Sequence, residues 1–214
     1  MIALYIVIAI MFYAAVCTVY NIYSEADIPF PKRLVLSDKT AVIIGAAGGI
    51  LTSAALFVSR NDIDIYGKVL FGIELAFLAV IAVIDIKKHI IPNKLLLAML
   101  GCWVVYTVVL LAVDTEQAVG AVISSIGGMV FALIVFGTGY LLMRSKLGGG
   151  DVKAMILLGL IFTGRAAFGV IMYSLVFSVL FALGAIISGK MKVKDTMPFA
   201  PFMLLGTIAA VALY

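Results

Sequence analysis

The sequence predicts an all-α, polytopic integral membrane protein of about eight transmembrane helices, with both termini outside. Three observations carry that prediction. Apolar residues make up 65% of the 214 positions and charged residues only 12%, against roughly 45–50% and 25% in a soluble chain. The mean hydropathy is +1.26. The charges that remain gather in short intervals between long apolar runs. A soluble fold of this length must cover its surface with polar groups, and too few are present. A soluble enzyme, a nucleic-acid-binding domain and a disordered chain are therefore excluded together.

A helix crossing about 30 Å of hydrocarbon needs roughly 20 residues, because each advances 1.5 Å. The first run, about 2–20, is apolar from Ile2, and the first basic residue is Lys32. It lacks the basic region that precedes a secretory core, so it is expected to stay as an anchor. Val16 before Cys17 makes a poor lipobox. The interval 21–39 holds Pro29, Pro31 and mixed charges, and reads as a short cytoplasmic loop. The second run, 40–58, contains small residues between Gly45 and Gly49, which suit close helix packing. The third, 69–86, carries Glu74 and closes on Asp85, Lys87 and Lys88. Pro92-Asn93 then stops one helix and starts the fourth, 95–113.

The fifth run, 118–143, opens with small residues from Gly120 to Gly128. The sixth, 152–164, is short and follows Gly148-Gly149-Gly150-Asp151. The seventh is 166–188, and the eighth, 199–214, begins within Pro198-Phe199-Ala200-Pro201-Phe202. No linker, low-complexity tract or repeat divides them, so residues 1–214 read as a single membrane domain. With eight spans the inward loops carry Lys32, Arg33, Lys39, Lys87, Lys88, Lys94, Arg144, Lys146, Lys153, Lys190, Lys192 and Lys194. Only Arg60, Lys68 and Arg165 fall outside, and that asymmetry selects this orientation over its inverse.

Acids near apolar runs are the informative residues, since a carboxylate at bilayer depth costs about 2.5–3.5 kcal/mol even on the lenient insertion scale. Asp85 closes the third run and Asp151 opens the sixth, so the topology puts both at the cytoplasmic boundary. Two neighbouring acids in a low-dielectric site share one proton over a wide pH range. The ionised member can take a proton from an attacking water while the protonated one hydrogen-bonds a peptide carbonyl. Peptide hydrolysis is the reaction such a pair supports best. Singly, Asp151 also reads as a helix N-cap, Asp85 as an interfacial acid balancing a lysine, and Pro92-Asn93 as a turn. The glycines lack the Gly-Lys-Ser/Thr of a phosphate cradle.

Together, three motifs in order resemble the type IV prepilin peptidases, membrane aspartic proteases of the GxGD type. They are Asp85-x6-Pro92-Asn93, Gly148-x-Gly150-Asp151-Val152-Lys153, and the Pro198–Phe202 segment. The similarity covers roughly residues 69–206. Presenilin-like members of the GxGD group use Tyr-Asp and Pro-Ala-Leu, whereas here Ile84 precedes Asp85 and no Pro-Ala-Leu occurs. The resemblance implies that Asp85 and Asp151 are the catalytic pair, supported by Gly148, Gly150, Pro92, Asn93 and Lys153. It implies prepilin-like substrates cut after a short basic leader at the cytoplasmic face of a prokaryotic plasma membrane, with no metal or organic cofactor. Longer bacterial members carry a cysteine-rich zinc-binding insertion after the first span and N-methylate the product. Residues 21–39 hold no cysteine, so peptidase activity alone is expected. Such short forms also resemble archaeal preflagellin and adherence-pilus processing enzymes.

Other residues read as structural. Glu74 lies eleven positions before Asp85, about 16 Å along a helix, too far to join the pair. His89, the sole histidine, has no partners for a metal site. Two other functions fit paired membrane acids: a small proton- or cation-coupled transporter, which calls for a midplane site, and a non-catalytic assembly subunit.

Overall fold

A computed structural model describes residues 47–52, 54, 65–142, 147–192 and 195–213. The runs at 2–20 and most of 40–58, the loop 21–39, and Arg60, Arg144, Lys146 and Lys194 lie outside the described residues. Within them the chain is all-α, as the composition predicts. Six helices follow in order: α1 (Ile65–Lys88), α2 (Asn93–Val113), α3 (Thr115–Leu142), α4 (Gly149–Ile161), α5 (Gly164–Ile187) and α6 (Ala200–Leu213).

Four of them, α1, α2, α3 and α5, are long and apolar enough to cross a membrane. The other two are short. At 13 and 14 residues, α4 and α6 rise only about 20 Å, less than the hydrocarbon thickness. The chain is thus a multi-pass membrane protein whose two short helices both begin on the same side.

That side follows from the links. The connections α1–α2, α3–α4 and α5–α6 lie at one end of the bundle, and α2–α3 and α4–α5 at the other. Among the described residues the first end gathers Lys87, Lys88, Lys94, Lys153, Lys190 and Lys192, while the second has Lys68 and Arg165. At this second end the turns are tight. Asp114 caps α3 by accepting the Gln117 N–H at 3.0 Å. The α4–α5 turn needs Gly164 at φ 53°, a left-handed conformation that costs a residue with Cβ.

The central helix is α1. Of its most apolar stretch, 72% is buried inside the protein, against 17–22% for the other three spans. Those three turn Leu97, Val105, Ile123, Ile134 and Leu180 outward toward lipid. Around α1 the strongest packing is α5 on α6, α3 on α4, and α1 on α6. The α3–α4 crossing depends on two glycines. A Cβ on Gly159 would stand 2.5 Å from the Gly128 carbonyl oxygen, and one on Gly128 would strike the Gly159 carbonyl. Gly128 therefore packs as its small-residue surroundings predict, whereas Gly120 and Gly127 have open space beside them.

Candidate active site

The site assembles where α1 ends and α2, α4 and α6 begin. Asp85 sits in the last turn of α1, with 5% of its surface exposed. The chain then reverses within four residues. His89, at φ 51°, provides the left-handed step, and its N–H bonds back to the Asp85 carbonyl at 2.9 Å. Pro92 follows in extended conformation as the N-cap of α2, and Asn93 is that helix's first residue. Pro92-Asn93 thus turns the chain as read from the sequence, and it also fixes where Ile91 and Asn93 stand relative to α4.

At the start of α4, Gly148 is the N-cap and Asp151 falls three residues later, in the first turn. Asp151 is therefore not the N-cap. Its carboxylate instead reaches back to accept the Gly148 N–H, the acidic half of a capping box. The glycines have distinct roles. A Cβ at Gly148 would lie 2.6 Å from Asp151 Oδ2. One at Gly150 would lie 3.0 Å from the Cβ of buried Ile91. One at Gly149 meets nothing within 4 Å. The Gly-x-Gly spacing thus leaves room for the carboxylate at one position and for the α1–α2 link at the other. Across the same junction Lys153 donates to Asn93 Oδ1 at 3.4 Å, a long hydrogen bond between exposed groups.

The third component is the start of α6. Helix beginnings leave backbone N–H groups unpaired. In Pro198-Phe199-Ala200-Pro201-Phe202 the prolines have no N–H, and Phe202 bonds back to the Phe199 carbonyl at 3.0 Å. The buried N–H of Ala200 donates instead to Asp85 Oδ2 at 3.0 Å. This contact was not anticipated from the sequence; the signal was the pair of prolines, Pro198 and Pro201, framing the N–H groups of Phe199 and Ala200 at a helix start. Phe199 is tied to α3 by its ring, centred 6.0 Å from that of Phe136.

Asp151 senses the charge of Asp85. Asp151 lies at the lysine-bearing end of the bundle, ahead of the apolar run 152–164, and its pKa is raised from 3.8 to about 6. Burial is the main cause and the Asp85 charge adds to it, while the Gly148 N–H opposes both. The N-terminal ends of α4 and α6 carry partial positive charge toward this place, which eases the burial of negative charge there. Glu74 is elsewhere. It is fully buried in α1, and neither carboxylate oxygen has a hydrogen-bond partner among the described residues. Among those residues no three His, Cys, Asp or Glu side chains come together.

All seven positions expected at the site thus meet at one end of the bundle: Asp85, Pro92, Asn93, Gly148, Gly150, Asp151 and Lys153. A family model described as the type IV leader peptidase family matches residues 72–187, more than half of the chain, and that range contains all seven. The chain belongs to the type IV leader peptidase family. It is also similar to a prepilin leader peptidase/N-methyltransferase of Bacillus subtilis, at 22% identity over 165 residues. That match covers 75% of this chain but only 62% of the relative's length. No solved structure matches this leader peptidase family member. Its short helices α4 and α6 fall on either side of the matched range's end, so Ala200 lies beyond it.

Proposed function

We propose that this chain is an aspartic endopeptidase of the plasma membrane that removes a short basic leader from prepilin-like precursors at the cytoplasmic face. Membership of a leader peptidase family supports the reaction class, and the similarity to a prepilin leader peptidase supports the substrate class. The observation that carries the mechanism is the convergence of Asp85 and Asp151 from separate helices, near enough for one charge to raise the other's pKa. Asp151, whose pKa lies above the ordinary carboxylate range, is the donor. Asp85, accepting the Ala200 N–H, is the base.

In the first step Asp85 takes a proton from water as the oxygen bonds to the scissile carbonyl carbon. Asp151 hydrogen-bonds the carbonyl oxygen as negative charge develops there. Collapse of the tetrahedral species breaks the C–N bond, and the proton held on Asp85 passes to the leaving amine. The products are a free leader carboxylate and a new N-terminus, with no net proton taken from the enzyme. The inner end of the bundle is the proposed cytoplasmic side, because the lysines gather there. N-Methylation is not part of the proposed activity, since residues 21–39 lack the cysteines of the longer members.

Purified enzyme in detergent, incubated with a precursor carrying a basic leader, should yield one new N-terminus by mass spectrometry, without added methyl. Asp85→Asn and Asp151→Asn should each lower the rate by at least about 10²–10⁴-fold, the usual share of acid–base catalysis, while the folded protein persists. Full turnover by either variant would rule out the paired mechanism.

A further inference from the structure

Asp85 and Asp151 are held in different ways. Asp151 takes its N–H from Gly148, in the same segment, so that partner moves with α4. Asp85 takes its N–H from Ala200, 115 residues further along the chain, and both residues are buried. The orientation of Asp85 therefore depends on where α6 is seated. From the contacts that seat it we infer that Gly206 is a positioning residue: its close fit on Ser174 sets the height of α6 and so brings the Ala200 N–H to Asp85. The inference rests on the proposed peptidase reading and adds a residue outside the pair that acts on it through a backbone donor.

The seat lies between α5 and α6, which run antiparallel. Three contacts make it, in opposite order along the two helices: Phe202 with Phe181, Gly206 with Ser174, and Ala210 with Gly169. The first is a ring contact with centres 5.3 Å apart. In the third, a Cβ on Gly169 would lie 3.3 Å from that of Ala210. The middle contact is the tightest. A Cβ on Gly206 would stand 2.5 Å from the backbone nitrogen of Ser174 and 2.8 Å from its Cα. These are backbone atoms, which cannot turn aside as the end of a side chain can. Buried Ser174 gives its hydroxyl proton to the Val170 carbonyl of its own helix at 2.6 Å. The contact with Gly206 is thus one of shape alone.

The hydrogen bond makes a small displacement matter. Carbon atoms in contact stand about 3.5–4 Å apart, so a methyl at Gly206 moves α6 by about 1 Å. Ala200 is six residues away, about 9 Å along a stiff helix, and shifts with it. A 3.0 Å hydrogen bond does not survive such a shift. Misplacing a reacting group on this scale lowers a rate by up to about 10²-fold.

Steady-state cleavage of the basic-leader precursor tests the seat. Gly206→Ala should lower kcat by about 10- to 10²-fold with KM within about twofold. Gly169→Ala presses on the same seat more gently and should lower kcat by about two- to threefold. It takes the place of Gly206→Ala if that variant does not fold. Gly164→Ala is strained at the other end of α5, where φ is 53°, and should lower the melting temperature with both constants unchanged. The N–H itself is removed by placing lactic acid at position 200 through nonsense suppression, which keeps the methyl and turns the amide into an ester. The ester should lose kcat as Gly206→Ala does, and the two combined should lose little more than either alone. A readout without turnover is the infrared carboxylate band that bleaches on acidification and is missing from Asp85→Asn. Gly206→Ala and the ester should move this band alike, while Gly164→Ala leaves it in place. The inference is overturned if the ester or the seat variant keeps full kcat, or if their losses multiply. It is equally overturned if Gly164→Ala loses kcat in the same proportion to its melting temperature. Moved bands in an enzyme that cleaves no precursor would instead reject the peptidase chemistry and keep the seat.

Discussion

The charge on Asp151 decides which of two carboxyl groups can donate, and its surroundings set that charge. Burial and the Asp85 charge raise its pKa to about 6, so it keeps its proton over a range where an ordinary aspartic acid has lost it. The proposed mechanism needs that proton. The kcat/KM of cleavage should therefore fall as pH rises through about 6, measured in detergent at constant ionic strength. A rate that climbs steadily from pH 5 to 8 would reverse the assignment of donor and base. The same shift has a sign in stability. Because the folded state holds the proton more tightly, Asp151 contributes stability below about pH 4 that is lost as pH rises through 6. Asp151→Asn removes that dependence, so the melting temperatures of wild type and variant should diverge between those limits. His89 acts at this scale through its backbone. Its φ of 51° costs a side chain with Cβ, and about 1–2 kcal/mol is the usual penalty. His89→Gly should hold or raise the melting temperature, and His89→Ile should lower it, while neither changes metal dependence.

At the scale of elements, the glycines around α4 make separable predictions. Gly149→Ala adds a methyl into open space and should leave cleavage within about twofold, with a small gain from helix propensity. Gly148→Ala drives a Cβ against the Asp151 carboxylate, and Gly150→Ala drives one against Ile91. Each should lower kcat by about tenfold or more, the scale of a misplaced acid–base group, with the protein still folded by circular dichroism. At the crossing of α3 and α4, Gly159→Ala meets a carbonyl with nowhere to move, and a loss of about 1–3 kcal/mol by thermal unfolding is expected without direct effect on the pair. These details show what the sequence could and could not reveal. Apolar runs and charged intervals place α1, α2, α3 and α5 within a few residues, because hydrocarbon thickness imposes their length. Asp85 and Asp151 stand out because acids are costly there. The Ala200 N–H and the Gly150–Ile91 contact were not legible, since they arise from backbone groups and a Cβ meeting across more than fifty residues of chain. The short reach of α4 was visible in its run; its role in starting the site beside Asp85 required the packing.

For the whole molecule, the buried course of α1 explains how carboxylates are kept at a membrane boundary. α1 is shielded over most of its apolar stretch, and Asp85 stands in its last turn, where α6 presents an N–H and α4 presents Asp151. Every contact of the proposed site therefore lies on the side of the lysine-bearing links, and the orientation of the bundle decides whether the site can meet a basic leader. A leader carried on a precursor with its positive flank inside is reachable only from the cytoplasm. The orientation can be read with single cysteines in a background lacking Cys17 and Cys102, placed at two exposed loop positions. An impermeant maleimide applied to intact cells should label Asp114→Cys, in the α2–α3 link, and spare Lys190→Cys, after α5, until the membrane is opened. Labelling of Lys190→Cys from outside would put the carboxylates at the outer face. A leader peptidase facing that way could not act on precursors before they assemble, and the proposed function would have to be abandoned whatever the chemistry of the pair.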